Sequence, residues 1–307
     1  MINDREEEDD DDDDDDDIPL EFQPIVASQL HSIAAEEEKE ASITNLFGHE
    51  DDNDNDIDAF QSINIGSSSP IPLSFTVRLP PDIGTLFAHR VWSGSKLLAE
   101  YLAKHATDEW LMLSQSSMIE FGAGTALPSL VALAYDCPCA VLTDYPHDDL
   151  LQAMRDTVGR NWDVCGRPKG RVAVVGHAWG TSTDQVVAAV PHHSKNTPFY
   201  FDIAILSECI WLHRSHSDLL TSIHRLLHPI SGRAIVTYAH HVPGHEAADE
   251  AFFTLAQSDP YQLETIIHES HDCSYMWDDT KTIVVHLKVL ARRQAAITKR
   301  WIGNVNN

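Results

Sequence analysis

The stretch Met118–Leu130, M-I-E-F-G-A-G-T-A-L-P-S-L, constrains the fold more than any other part of this 307-residue chain. Apolar Met118, Ile119 and Phe121 run into two glycines one residue apart, and then into a segment able to start a helix. Gly122 and Gly124 have no Cβ, so the turn can take unusual φ/ψ values and let a ligand approach the backbone. Pro128 suits the first turn of a helix, where its missing N–H is no loss. A strand, a glycine turn and a helix in this order build a nucleotide-sized pocket at the carboxyl end of a parallel sheet.

The flanking pattern extends this unit. Apolar runs predict core strands over 117–121, 140–143, 171–175, 202–206 and 233–238. Spacings of three and four predict helices over 95–104, 126–135, 149–162, 215–227 (with Ser215 as its cap) and 246–257. Such alternation, with continuous apolar strands, means a parallel sheet covered on both faces. Two closing strands, 261–268 and 282–290, have no full helix between them, so a hairpin and one antiparallel strand are expected.

Charge is unevenly placed. The net charge is −27, but residues 1–70 hold 24 Asp/Glu and 2 Lys/Arg, a net of −22, which leaves −5 for the rest. Residues 6–17 are twelve consecutive acids, a run that repels itself and buries nothing. The chain therefore divides into an acidic disordered tail, 1–70, with a weak helix possible over 28–40, and a folded domain, 71–307, in which order begins near 71–77. The tail's charge suits recruitment of a basic partner. A nucleic-acid partner would need a basic face, which the composition does not supply. No apolar run of membrane length occurs, and five cysteines without framework spacing read as reduced thiols. A cytoplasmic monomer that engages no membrane is the expectation.

In a sheet of this type the pocket lies outside the carboxyl ends of the strands. Glu120, Gly122 and Gly124 follow the first core strand, and Asp144, twenty residues past Gly124, follows the second. A carboxylate at that distance can accept hydrogen bonds from a ribose diol. His177 to Gly180 follow the third strand, where the Trp179 indole can stack on a purine. Ser207 to Trp211 follow the fourth, and Tyr238 to His241 the fifth. Each has a plainer reading: a tight turn for the glycines, an Asx turn for Asp144, core packing for Trp179 and especially Trp211. Glu208 is harder to explain that way, because an unpartnered buried charge is costly. His240, His241 and His245 do not predict a metal, since Pro243-Gly244 breaks the helix that a His-x3-His pair needs.

Glu120-Phe-Gly-Ala-Gly-Thr-Ala126 resembles motif I of the class I S-adenosylmethionine-dependent methyltransferases, with Ala126 where a third glycine is usual. Val91-Trp-Ser-Gly94, Leu142-Thr-Asp-Tyr-Pro146, Trp179-Gly180, Leu206-Ser-Glu-Cys209 and Ala251-Phe-Phe253 resemble the lysine-methyltransferase branch. Within it they are most similar to the nicotinamide N-methyltransferase-like group that includes the N-terminal and lysine methyltransferases of translation elongation factor 1-alpha. Glu208 stands where the branch usually has Asp, and Leu212-His213 where Asn-His often follows. The resemblance covers about residues 75–290. It implies a Rossmann-like α/β fold, with a seven-stranded, mostly parallel sheet in the order 3-2-1-4-5-7-6. It implies S-adenosyl-L-methionine as cofactor: Gly122 and Gly124 against the methionine moiety, Asp144 on the ribose, Trp179 near the adenine and Trp92 closing the pocket. Glu120, Ala123, Tyr145 and Ser207 complete that set. The partner implied is a protein substrate, a basic translation factor among the options.

On this reading the chain holds a neutral amine in line with an activated methyl group. Glu208, Trp211 and His240 are the catalytic candidates, Tyr238 shares their rim, and His240 is the candidate base. The rival readings are a small-molecule, nicotinamide-like N-methyltransferase, a catalytically silent binding module, and a dinucleotide oxidoreductase. The last is disfavoured because its fingerprint needs a glycine where Leu127 stands.

Overall fold

The structure, a computed structural model, describes residues 60–66, 72–81, 88–168, 170–191, 198–276 and 278–293. The expected helix over 28–40 and the acid run at 6–17 lie outside the described residues. A short antiparallel pair comes first, β1 (Phe60–Ile65) with β2 (Leu73–Arg78). Helix α1 (Ser93–His105) leads into β3 (Ser117–Phe121), α2 (Leu127–Ala134), β4 (Cys139–Asp144) and α3 (Asp148–Arg160). Next come β5 (Val172–Gly176), a short α4 (Asp184–Ala188), β6 (Ile203–Ser207) and α5 (His216–Leu226). The chain closes with β7 (Arg233–Ala239), α6 (Glu246–Gln257), β8 (Leu263–Tyr275) and β9 (Asp278–Arg292).

Strands β3 to β9 form one seven-stranded sheet in the order β5-β4-β3-β6-β7-β9-β8. Counted from the first core strand this is 3-2-1-4-5-7-6, with β9 antiparallel to both neighbours, as the hairpin reading requires. Alternation along each strand supplies two cores. Met118, Leu142 and Ile205 point to the face covered by α1, α2 and α3, where Leu98, Leu130 and Met154 meet them. Ile119, Phe121, Val141 and Leu206 point to the face covered by α5 and α6, against Leu219, Leu220, Ile223 and Phe252. No described helix is long and apolar enough to cross a membrane.

Three details differ from the sequence reading. Ser215 stands at the start of α5 but makes no side-chain capping bond. The closing hairpin runs 13 and 15 residues, well beyond its apolar segments, because polar residues from His268 onward alternate outward while their backbone stays paired. The first described strand, Phe60–Ile65, precedes the start of order expected near 71–77 and lies inside the stretch read as tail. Its acid run ends at Asp58, and Ile63 and Ile65 then alternate into the first core. The β1–β2 pair is fastened on both sides: the Gly66 N–H donates to both Glu100 oxygens at 3.0 Å, and the Arg78 N–H donates to Thr157 Oγ1 at 2.8 Å.

Burying two isoleucines contributes roughly 3–6 kcal/mol. Removal of residues 1–70 is therefore expected to lower urea-unfolding stability by about 3 kcal/mol or more relative to removal of residues 1–58. Equal stability of the two truncations would remove β1 from the folded core.

Candidate active site

The glycine turn after β3 takes the left-handed backbone that its residues permit. Gly122 and Gly124 have φ of 60° and 50°, and Ala126, where a third glycine is usual, follows at 58°. A methyl group at Ala126 costs of the order of 1 kcal/mol in that conformation. It is tolerated because the side chain is buried in the first core. The two glycines face different surroundings. A Cβ on Gly122 would meet Cys209 Sγ at 2.9 Å and the Trp179 ring at 3.4 Å, whereas one on Gly124 would meet nothing within 4 Å. The turn is packed on one side and open on the other.

The Gly124 N–H donates to Asp144 Oδ2 at 2.7 Å, and the Tyr145 N–H donates to Oδ1, also at 2.7 Å. The glycine turn and the carboxylate twenty residues away therefore meet directly. Burial raises the Asp144 pKa to about 6, against the pull of the two N–H groups. Glu120, one residue before the turn, is fully buried and accepts from the Ser129 N–H at 3.1 Å and from the Ser129 hydroxyl. Burial lifts its pKa to about 8, and the Ser129 bonds only partly oppose this. Its Oε1 is buried without a hydrogen-bond partner among the described residues. Ala123 is buried and donates its N–H to the Thr143 carbonyl at 3.0 Å.

Past β5, half-buried Trp179 lies against the turn, and its loop is held by Ser222, which accepts the Gly180 N–H at 2.8 Å and contacts His177 Nε2 at 2.9 Å. Ser222 sits on α5, and no sequence spacing links it to this loop. Tyr145 is exposed, and the Ser207 hydroxyl lies 3.5 Å from the Thr237 hydroxyl.

Glu208, expected on the acceptor rim, has both oxygens engaged within the protein. Its backbone takes φ of 54°, and its side chain is only 3% exposed. Oε1 accepts the Gly94 N–H at the start of α1 at 3.1 Å; Oε2 accepts the Ala239 N–H and His241 Nε2–H, each at 3.1 Å. A Cβ on Gly94 would fall 2.5 Å from Oε1, so only glycine lets the carboxylate reach the helix N-terminus, where the helix dipole favours it. Burial works to lower the His241 pKa, but the charge and hydrogen bond of Glu208, with Asp249 beyond, raise it above the ordinary value. The His241 ring meets Trp92 edge-on at 4.9 Å, so the Glu208 clamp extends to the tryptophan expected to close the pocket.

Tyr238 does not belong to the rim. It is 1% exposed, and its hydroxyl donates to Glu250, which also accepts from Lys288 Nζ at 2.6 Å. Position along β7 decides this, because successive side chains point to opposite faces and Tyr238 points into the second core. His240, two residues later and past the end of β7, is half-buried, with Nδ1 2.8 Å from Asp249 Oδ2. His213 Nε2 is 2.7 Å from the other Asp249 oxygen, and Trp211 stands half-buried two residues before it. Asp249 was not singled out by the sequence, and Gly94, His213 and His241 were named there without these contacts; the partners of Asp249 lie 9 and 36 residues away. No His/Cys/Asp/Glu group able to hold a metal ion occurs among the described residues.

A family profile described as lysine methyltransferase matches residues 74–259. A protein N-terminal and lysine N-methyltransferase of Schizosaccharomyces pombe is 28% identical over 186 residues, covering 60% of this chain and 69% of that protein. The protein of the same name from Cryptococcus neoformans is 30% identical over 202 residues, covering 60% of this chain and 64% of its own length. One from Gibberella zeae is 26% identical over 221 residues, covering 69% and 78%.

Because the Glu120 pKa is raised on folding, the folded chain keeps its proton where the unfolded chain loses it, and stability falls as pH rises from about 4.5 to about 8. Glu120→Gln removes that slope, so urea unfolding is expected to find the variant gaining on the parent between pH 5 and pH 8; a constant difference would refute the buried-acid assignment. Gly94→Ala places a methyl group on Glu208 and is expected to cost about 1–3 kcal/mol. Unchanged stability in the same assay would show that the clamp does not hold α1.

Proposed function

This chain belongs to the lysine methyltransferase family and is a methyltransferase dependent on S-adenosylmethionine; we propose that its acceptor is an amine of a protein, a lysine side chain, an N-terminal amine or both. The direct bond between the Gly124 turn and Asp144 carries this reading. It puts a carboxylate able to accept ribose hydroxyls beside the open side of the glycine turn. The names of the relatives from Schizosaccharomyces pombe and Cryptococcus neoformans support a protein acceptor. The −22 charge of residues 1–70 favours a basic one, and elongation factor 1-alpha is the candidate that the family resemblance suggests.

The residues present fit the cofactor. A turn open at Gly124, a carboxylate at Asp144 and a buried Glu120 oxygen still lacking a partner suit a ligand carrying an amino group and a ribose. When bound, S-adenosylmethionine supplies a methyl group activated by its sulfonium. Gly122 and Gly124 line the methionine moiety in this proposal, with Glu120 and Ala123 behind them. Asp144, Tyr145 and Ser207 border the ribose, and Trp179 the adenine. Trp92, buttressed by His241 and Glu208, closes the pocket, so Glu208 acts by position. A lysine ammonium has no free electron pair, so one proton must leave before transfer. His240 takes that proton, and Trp211 helps exclude water beside it.

Incubation with isotopically labelled cofactor, in separate arms with a cell protein extract, elongation factor 1-alpha and nicotinamide, tests the acceptor class by mass spectrometry. Label is expected in protein amines; label confined to nicotinamide would overturn the reading. Removing a charged hydrogen-bond acceptor costs about 1.5–3 kcal/mol, so Asp144→Ala is expected to weaken S-adenosylhomocysteine binding about tenfold or more by calorimetry.

A further inference from the structure

Asp249 lies in the first turn of α6 with a side chain 7% exposed, and each of its oxygens meets one imidazole. His213 Nε2 is 2.7 Å from Oδ1, and His240 Nδ1 is 2.8 Å from Oδ2. The two rings come from separate loops, one after β6 and one after β7. A carboxylate accepts and does not donate when ionised, so each of these nitrogens carries the proton. The two histidines are thereby held in opposite tautomers, His213 as Nε2–H and His240 as Nδ1–H. Each presents its remaining nitrogen as an acceptor. Nothing in the position of Asp249 along the chain suggests this; the juxtaposition is tertiary.

We propose that Asp249 is a positioning residue for methyl transfer, which fixes His240 with a free Nε2 as the proton acceptor for the incoming ammonium and holds His213 beside it as a second acceptor. The inference rests on the protein-amine reading above. In the step proposed, an N–H bond of the ammonium breaks, its proton goes to His240 Nε2, and the electron pair stays on the nitrogen, which is thereby a neutral nucleophile. The imidazolium that forms is balanced by the Asp249 carboxylate and gives its proton to solvent. A buried carboxylate behind a histidine serves both purposes, setting the tautomer and stabilising the cation.

Other charged or titratable groups also face His240. Glu246 and Glu250 come from α6, Tyr238 from β7 and His286 from β9, and His213 acts through the shared carboxylate. The rings of His240 and His286 are 5.1 Å apart. Glu250 is itself paired with Lys288, which limits its effect on the imidazole.

The test uses the full chain with ¹⁵N-labelled histidine, resonances being assigned with His213→Gln and His240→Gln. NMR is expected to find His240 protonated on Nδ1 and His213 on Nε2 in the parent, and the pattern lost at one ring at least in Asp249→Asn, whose amide keeps a single acceptor oxygen. Methyl transfer to extract proteins from labelled cofactor is expected to fall about a hundredfold or more at pH 7 in Asp249→Asn. Near pH 10 the loss should shrink to less than about tenfold, because the lysine then supplies its own free amine. S-adenosylhomocysteine affinity should not change. An equal loss at both pH values, no loss, or unchanged tautomers would overturn the proposal. Should Asp249→Asn fail to fold, His240→Gln carries the kinetic test with the same expected pH dependence, and a pH-independent loss again refutes it. If the parent binds S-adenosylhomocysteine but methylates no protein, the acceptor reading fails by itself. The tautomer measurement then decides the role of Asp249 alone.

Discussion

Carboxylates buried at the strand ends must be matched by donors, and the architecture of the site follows from how each one is matched. Taking an ionised carboxylate out of water costs several kcal/mol unless donors replace the lost hydration. Glu208 is the most demanding case, with both oxygens enclosed. Its donors come from the start of α1, the end of β7 and His241, so one carboxylate joins three parts of the fold. That joint requires glycine at position 94 and fixes where α1 begins beside the sheet. Trp92, at the start of that helix, takes its place from the same joint.

The carboxylates are matched in different ways, and their chemistry diverges accordingly. Asp144 has two amide donors and a pKa of about 6, so it is mostly ionised at neutral pH and suited to accept hydroxyls. Glu120 has only Ser129 and a pKa of about 8, so at neutral pH it is mostly protonated. The pocket floor thus avoids two adjacent full negative charges, and the Asp144 charge itself helps keep Glu120 neutral. Asp249, matched by two imidazoles, holds groups that carry protons. Cys209, beside the same turn, has its thiol held far from ionisation by burial and the three nearby carboxylates, so it packs against Gly122 and offers no nucleophile.

Much of the fold was legible in the residues. The strand–turn–helix at Met118–Leu130 and the apolar runs of the later strands located the core sheet, and the absence of a helix between the last two predicted the antiparallel strand. These signals are local: hydrophobic periodicity, glycine, proline and a spacing of twenty residues. Where they misled, a local signal was incomplete. The polar half of the β8–β9 hairpin looked like loop because backbone pairing leaves no mark on composition. Phe60–Ile65 was hidden behind an acid run that gave its character to the whole stretch. Tyr238 was assigned to the rim by its distance from the strand end, although strand alternation turns it inward.

By itself the sequence determined the fold class, the glycine turn and the carboxylate placed to meet it, because these depend on periodicity and on spacing within one supersecondary unit. It also determined that most of the net negative charge lies within residues 1–58. Only the tertiary structure decided which donor satisfies which buried acid. Gly94 meets Glu208 across 114 positions, and His213 meets Asp249 across 36. No periodic pattern spans such separations; the need to match each desolvated charge acts only after strands, helices and loops have been brought together.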